Sequence, residues 1–203
     1  MIKEGNTIAT MSAMKNIVAK AEVEETFPQE IAIYDLNEFL GALSLFSSPI
    51  LDFNDSYVVI SEETKPTTKM KYFYSDPSVV TSPSKMITMP SEEVKFTMSN
   101  DDLSKLKRAA GAIGAPDMVL ERKEGTSSIT VKDKKNDTAN NYSLDVDTNG
   151  EGEFNFFFKV ENMKLLDGTY DVEISSKNIS HYKNKSFDIE YWIALEPEST
   201  YKV

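Results

Sequence analysis

Polar and apolar residues alternate along most of the chain. In Phe187-Asp188-Ile189-Glu190-Tyr191-Trp192-Ile193, an extended backbone puts Phe187, Ile189, Tyr191 and Ile193 on one face. Tyr170–Ile174 and Tyr142–Asp147 repeat that period of two. Further strands are predicted near Ile8–Thr10, Ile17–Val23, Tyr57–Ser61, Lys69–Tyr74, Val94–Met98, Met118–Arg122, Ser128–Lys132 and Phe154–Phe158. Glu124-Gly125, Asn149-Gly150 and Asp167-Gly168 mark turns between them.

Three segments carry a helical period instead. From Leu36 to Phe46, the residues Leu36, Phe39, Leu40, Leu43 and Phe46 share one stripe. Asp35 with Glu38 forms an N-terminal capping pair, and Pro49 lies beyond the end. A second helix is predicted from about Asp101 to Ile113, capped by Ser99 or Asn100. Leu103, Leu106, Ala110 and Ile113 form its apolar stripe, and Gly114 with Pro116 stops it. A short third helix is predicted over Val160–Leu166, closed by Gly168.

Between Tyr74 and Glu92 the pattern changes. Pro77, Pro83 and Pro90 punctuate a stretch without glycine or helical period, which reads as an extended linker between two similar halves. The expected organisation is a first domain over 1–74, a connector over 75–91 and a second domain over 92–203. Many strands with few helices make the class α+β.

Charge complicates any link to nucleic acid. Lys and Arg number 22 against 33 Asp and Glu, a net charge of −11. Such a chain is repelled by DNA on average, so a DNA role requires a local basic surface. There is no Cys, which excludes disulfides and thiolate metal sites and fits a reducing compartment. No apolar run approaches the roughly 20 residues of a membrane span, and a cytoplasmic location is expected. Enzymatic chemistry finds little support. His181 is the sole histidine and sits in a polar stretch expected to be an exposed loop. No phosphate loop, nucleotide fingerprint or serine elbow appears, and Glu24-Glu25 and Glu62-Glu63 read as solvated faces.

Several stretches, in order along the chain, carry a family resemblance: Ala32-Ile33-Tyr34-Asp35-Leu36-Asn37-Glu38-Phe39-Leu40-Gly41, Asp76-Pro77-Ser78-Val79-Val80, Phe154-Asn155-Phe156, Glu161-Asn162-Met163-Lys164, and Ala194-Leu195-Glu196 with Ser199-Thr200. Together they resemble the sliding clamps of T-even-type bacteriophages. The resemblance implies a DNA-clamp fold, with two topologically similar domains of antiparallel sheets and few helices lining a concave inner face. It implies a homotrimeric ring around double-stranded DNA that serves as polymerase processivity factor without being an enzyme. The implied partners are the replicative DNA polymerase, a clamp loader and late-transcription factors, in the cytoplasm of an infected bacterial host, with no cofactor. Family members begin with a further helix and strand ahead of the point where Met1 aligns, together about twenty residues. The first domain is therefore expected to lack those elements.

On the second helix, Lys105 and Arg108 fall opposite the apolar stripe and Lys107 on its flank. Spacing alone makes this an ordinary solvated face; with the resemblance, these three become the expected DNA-facing cations, followed by Lys159 and Lys164. Phosphates are held by such cations without reading bases. The run Lys132–Lys135 is diluted by Asp133 and Asp137 and reads as an exposed hairpin loop. Trp192, the only tryptophan, falls on the polar side of the last long strand, where it is expected to be exposed as a peptide-binding anchor. By resemblance, the pocket for partner tail peptides lies between connector and last strand. Val79, Val80, Pro83, Met86 and Ile87 would form one wall, Met11 and Met14 the floor, and Ala194 and Leu195 would lie beside Trp192. Ring contacts are expected between an edge strand near Lys69–Tyr74 and one near Tyr142–Val146 of the next subunit. The competing readings are a β-rich phage structural or protein-binding module, and a carboxylate-based glycosidase.

Overall fold

The structure, a computed structural model, describes residues 1–202. The chain forms two compact units. One comprises Met1–Thr10 and Lys20–Ser84, the other Met11–Ala19 and the chain from Lys85 onward. The expected division kept residues 1–74 together; the structure instead gives Met11–Ala19 to the second unit. The break at Ser84 falls within the proline-punctuated stretch.

In the first unit, β1 (Gly5–Met11) and β2 (Ile17–Phe27) are neighbours, and α1 (Leu36–Leu43) precedes a meander of β3 (Pro49–Phe53), β4 (Tyr57–Glu62) and β5 (Lys65–Phe73). Asp35 caps α1, its Oδ1 accepting from the Glu38 N–H at 3.0 Å. Alternation places Val58, Ile60 and Tyr72 inward, where they meet Phe39, Ala42 and Phe46. The stripe assigned to this helix is only half correct. Phe39 is buried, whereas Leu36 and Leu40 are 56% and 51% exposed. The helix rests on its Phe39–Ala42 side, so the adjoining leucines point to solvent.

The second unit contains β6 (Val94–Met98), α2 (Asn100–Ile113), β7 (Asp117–Lys123), β8 (Thr126–Lys132), β9 (Tyr142–Asp145), β10 (Glu153–Lys159), β11 (Tyr170–Ser175), β12 (Ile179–Asn184), β13 (Ile189–Ala194) and β14 (Thr200–Lys202). One antiparallel sheet runs β13-β12-β11-β6, and the start of β2 lies beside β13; the other runs β14-β10-β7-β8-β9. The predicted third helix is reduced to a 3-10 turn over Val160–Asn162. Val160 and Leu165 both pack with the core, but the intervening chain lacks the helical turns that would place them on one stripe. Both units thus share an order of strand, helix and three-stranded meander, with β5 and β9 as meander edges. None of the described helices is long and apolar enough to cross a membrane.

A single core joins both sheets and α2 in the second unit. Ser99 caps α2, its Oγ accepting from the Asp102 N–H at 3.1 Å, and Gly114 ends it with φ 66°. Leu103, Leu106 and Ala110 are buried among Met118, Leu120, Ile129 and Phe156. Removing a buried leucine side chain of this kind costs about 2–5 kcal/mol. The loop before β10 is also tightly seated. Asn149 closes on β6, its N–H donating to the Lys95 carbonyl at 3.1 Å while its Oδ1 accepts from the Lys95 N–H at 2.7 Å. A Cβ on the next residue, Gly150, would stand 2.6 Å from Val94 Cγ2. Val94 is fully buried and cannot yield. Gly150→Ala is therefore expected to destabilise the second unit by about 1–3 kcal/mol, read as a lower midpoint in urea unfolding with an unchanged slope.

Candidate DNA and partner surfaces

The geometry of α2 divides its charges from its apolar stripe. Lys105 and Arg108 are exposed, Lys107 half-buried. Lys105 pairs with Asp101 one turn earlier, in an exposed contact that solvent screens and a phosphate can replace. Arg108 makes only a long contact to the Ser104 carbonyl, at 3.4 Å. Lys107 is tied down, its Nζ donating to the Leu165 carbonyl at 2.7 Å. That bond joins α2 to the loop carrying Lys164, which is exposed and has no ion partner among the described residues.

Lys159 does not join this set. Its Nζ is 2.7 Å from Asp117 Oδ1 and 3.8 Å from Glu196 Oε2. Asp117 is 1% exposed, and a buried carboxylate left without its cation costs about 3–5 kcal/mol. Lys159 is thus a structural counter-ion, with its charge spent on Asp117 rather than displayed with the α2 cations. Lys134 is engaged in the same network. It pairs with Glu198, lies 3.4 Å from Glu196 and 3.7 Å from Asp117, and sits 5.5 Å from the centre of the Phe157 ring. The β8–β9 loop was expected to be solvated throughout, yet its Lys134 is only 13% exposed. Asp117 was not singled out from the sequence, and Lys134 was read only as part of a solvated run. Their partners are 17 to 64 residues away, and no local spacing reveals such pairs.

The expected peptide surface is partly assembled within the second unit. Asn16 donates from Nδ2 to Asn162 Oδ1 at 3.1 Å, and its carbonyl accepts the Ala194 N–H at 2.9 Å. These bonds seat the turn over Ser12–Asn16 against the end of β13; Met14, on that turn, is 82% exposed. Met86 is exposed and Ile87 half-buried in the same unit. Leu195 instead packs in the core. Val79, Val80 and Pro83 belong to the first unit. There Asp76 caps a 3-10 turn over Pro77–Val79, and Val79 is exposed while Pro83 is buried.

Trp192 and His181 both depart from expectation. Trp192 lies on the outward face of β13 but is only 6% exposed. The His181 ring stacks on it, with centroids 4.9 Å apart and planes 15° from parallel. His181 is no loop residue; it stands on β12 opposite Trp192. Its Nδ1 lies 3.2 Å from Glu173 Oε2 and its Nε2 2.9 Å from Glu190 Oε2. Lys95 reaches the other oxygen of Glu173 at 3.0 Å. Burial pushes the Glu173 pKa up, but the hydrogen bonds and charges of His181 and Lys95 outweigh it and hold it below the usual range. Alternation had correctly assigned the face of Trp192 but could not show that a ring covers it.

With this geometry in place, comparison decides the family. The sliding clamp of Vibrio phage KVP40 is 31% identical over 202 residues, covering 97% of this chain and 90% of the relative. The chain belongs to the sliding clamp family. The sliding clamp of Enterobacteria phage T4 is 30% identical over 210 residues, covering 99% of this clamp and 90% of the relative. A family profile described as "gp45 sliding clamp, C terminal" matches residues 95–197. Solved structures agree on the fold. Proliferating cellular nuclear antigen from Entamoeba histolytica superposes with a TM-score of 0.65 at 14% identity, covering 96% of this clamp and 87% of that chain. The β subunit of DNA polymerase from Streptococcus pyogenes gives 0.66 at 10%, covering 95% and 55%. The antiparallel sheets and two α-helices of this chain are those of a clamp fold.

The ion network of the clamp predicts a pH response. Burial pushes the Asp117 pKa up, but the Lys159 hydrogen bond, the Lys134 N–H and both ammonium charges outweigh it, leaving it below the usual value. The Lys134 hydrogen bond is the main cause lowering Glu198. Depressed carboxylates contribute stability above their unfolded pKa values, near pH 4, and lose it as pH falls through the folded ones. The wild-type protein should therefore lose stability below about pH 4 more steeply than Asp117→Asn, whose midpoint at neutral pH should already be lower. Urea unfolding between pH 2.5 and 7 checks both.

Proposed function

We propose that this clamp is a non-enzymatic processivity factor: three copies close into a ring on duplex DNA and tether the replicative polymerase through a peptide surface. The observation carrying this reading is α2, in a chain of the sliding clamp family. An acidic molecule places Lys105 and Arg108 opposite a buried stripe and ties the Lys164 loop to that helix. Cations displayed there attract phosphates through counterion release and read no base, as sliding requires. The peptide surface would be built on Met11, Met14, Met86 and Ala194, where flexible thioethers suit several different tails. A clamp loader and late-transcription factors would use the same ring, in the host cytoplasm.

Ring closure would come from the meander edges. The exposed β5 carries Lys65, Lys69 and Lys71 and no acid. On the opposite type of edge, β9 and its continuation carry Asp145 and Asp147 and no base. Two such edges from different copies fit head to tail in charge as well as in hydrogen bonding, and repel their own kind.

Two experiments test the reading. The triple variant Lys105→Glu, Arg108→Glu, Lys164→Glu should keep its fold and mass while shortening polymerase products on primed DNA by about tenfold or more at moderate salt. Unchanged product length would rule out this face as the DNA path. Lys69→Glu with Lys71→Glu should shift the native mass from about three times 22.8 kDa towards the single chain. Adding Asp145→Lys and Asp147→Lys to the same chain, so that every joint again carries opposite charges, should restore assembly.

A further inference from the structure

The last residues of the chain form a strap rather than an ordinary strand. Among the described residues, β14 pairs with β10 at three positions, Glu153 with Lys202, Phe154 with Tyr201 and Asn155 with Thr200. Beyond these, β10 is closed by two unlike contacts. The Glu196 N–H donates to the Phe157 carbonyl at 2.8 Å, and the Phe157 N–H donates to Ser199 Oγ at 3.0 Å. These contacts explain physically why Glu196 and Ser199 stand where they do. The strap has one apolar anchor, Tyr201, which stacks on Phe154 and Phe156 with centroids 6.5 and 6.4 Å away. Its other end is held by charge: Glu196 on Lys134 and Lys159, Glu198 on Lys134. Glu198 is nearly half exposed, so water and salt compete for that contact.

The rest of the sheet is held differently. β10 pairs with β7 over six positions, with Phe154, Phe156 and Phe158 fully buried. Opening the strap would break few main-chain bonds and uncover Tyr201 together with the faces of Phe154 and Phe156 beneath it, leaving the β10–β7 pairing in place. Segments so held open at lower free energy than the core. What they uncover is an unpaired strand edge, a template for main-chain pairing with another extended segment.

We propose that Glu196–Lys202 is a releasable strap, and that its release offers the β10 edge to an extended partner peptide of the strap's own chemistry. Such a peptide carries carboxylates against Lys134 and Lys159, a hydroxyl at the Phe157 N–H, and an aromatic ring on Phe154 and Phe156. This extends the peptide-tethering reading to a second surface, and its test needs neither DNA nor polymerase.

Hydrogen exchange on the full chain, compared between low and 0.5 M salt, reads the strap directly. The Phe157 and Glu196 amides should exchange about tenfold faster in high salt, while Val119 and Leu120 on β7 stay unchanged. Tyr201→Ala should give the same selective acceleration at low salt. A synthetic peptide Glu-Pro-Glu-Ser-Thr-Tyr-Lys should then bind Tyr201→Ala, restoring protection at Phe157, and bind wild type at least about tenfold more weakly because the native strap competes. A peptide with Tyr replaced by Ala should bind neither. Uniform acceleration of strap and β7 amides would overturn the strap as a separate unit. Selective release without peptide binding would overturn the acceptor edge. Failure of the polymerase assay alone would touch neither result.

Discussion

Burial of the Leu103, Leu106 and Ala110 stripe decides how the second unit presents charge. A helix can bury only one side. Once that side is spent on the sheet core, every other residue on α2 has its direction set by 100° steps. Lys105 and Arg108 point outward because Leu103 and Leu106 point inward. Lys107, on the boundary, is close enough to the core margin to bind the Leu165 carbonyl. The same packing event supplies stability and fixes the electrostatic face.

Cations of this chain divide into two kinds, and the difference is dielectric. Lys159 and Lys134 are partly withdrawn from water and answer to Asp117, Glu196 and Glu198; their charge is neutralised locally and projects little field. Lys105, Arg108 and Lys164 keep their charge in solvent, where it remains available to phosphate. A net charge of −11 therefore does not describe the molecule as DNA would meet it. It averages over internally compensated pairs, a free cationic face and the acidic remainder, and only the second is relevant to a duplex.

Where local pattern determined the outcome, the sequence was readable. The alternation around Tyr170 and Tyr191 placed two strands, and Ser99 and Gly114 bounded α2 as their chemistry requires, whereas β12 around Tyr182 was taken for a polar loop. Where the outcome depended on what covers a residue, it was not. Period two identifies the face of Trp192, but the covering His181 comes from another strand. The Val160–Leu166 stretch holds enough apolar residues for a helix, yet Val160, Met163 and Leu165 are taken by the core individually while Leu166 faces solvent, and only a 3-10 turn forms. Leu36 and Leu40 satisfied the helical period without being buried, since periodicity cannot say which part of a wide stripe finds a partner. Of the candidate site, spacing showed only that Lys105 and Arg108 lie opposite the apolar stripe of α2. The pairing of Lys159 with Asp117 was not legible, because the two stand 42 residues apart.

Threading a duplex changes what a protein surface must accomplish. A protein that holds DNA by contact alone needs many phosphate contacts, and each slows translocation. A closed ring needs affinity only to centre the duplex, so a small cationic set on α2 suffices and an acidic remainder is tolerable. In the proposed ring, the burden of persistence passes to the subunit joints. Edges of opposite charge on β5 and β9 suit that requirement: main-chain pairing supplies specificity of register, and side-chain charge supplies direction without the large apolar area that would make the joint permanent. In the proposed ring, persistence on DNA would therefore come from the seams, while the DNA-facing side would need only weak, unspecific attraction.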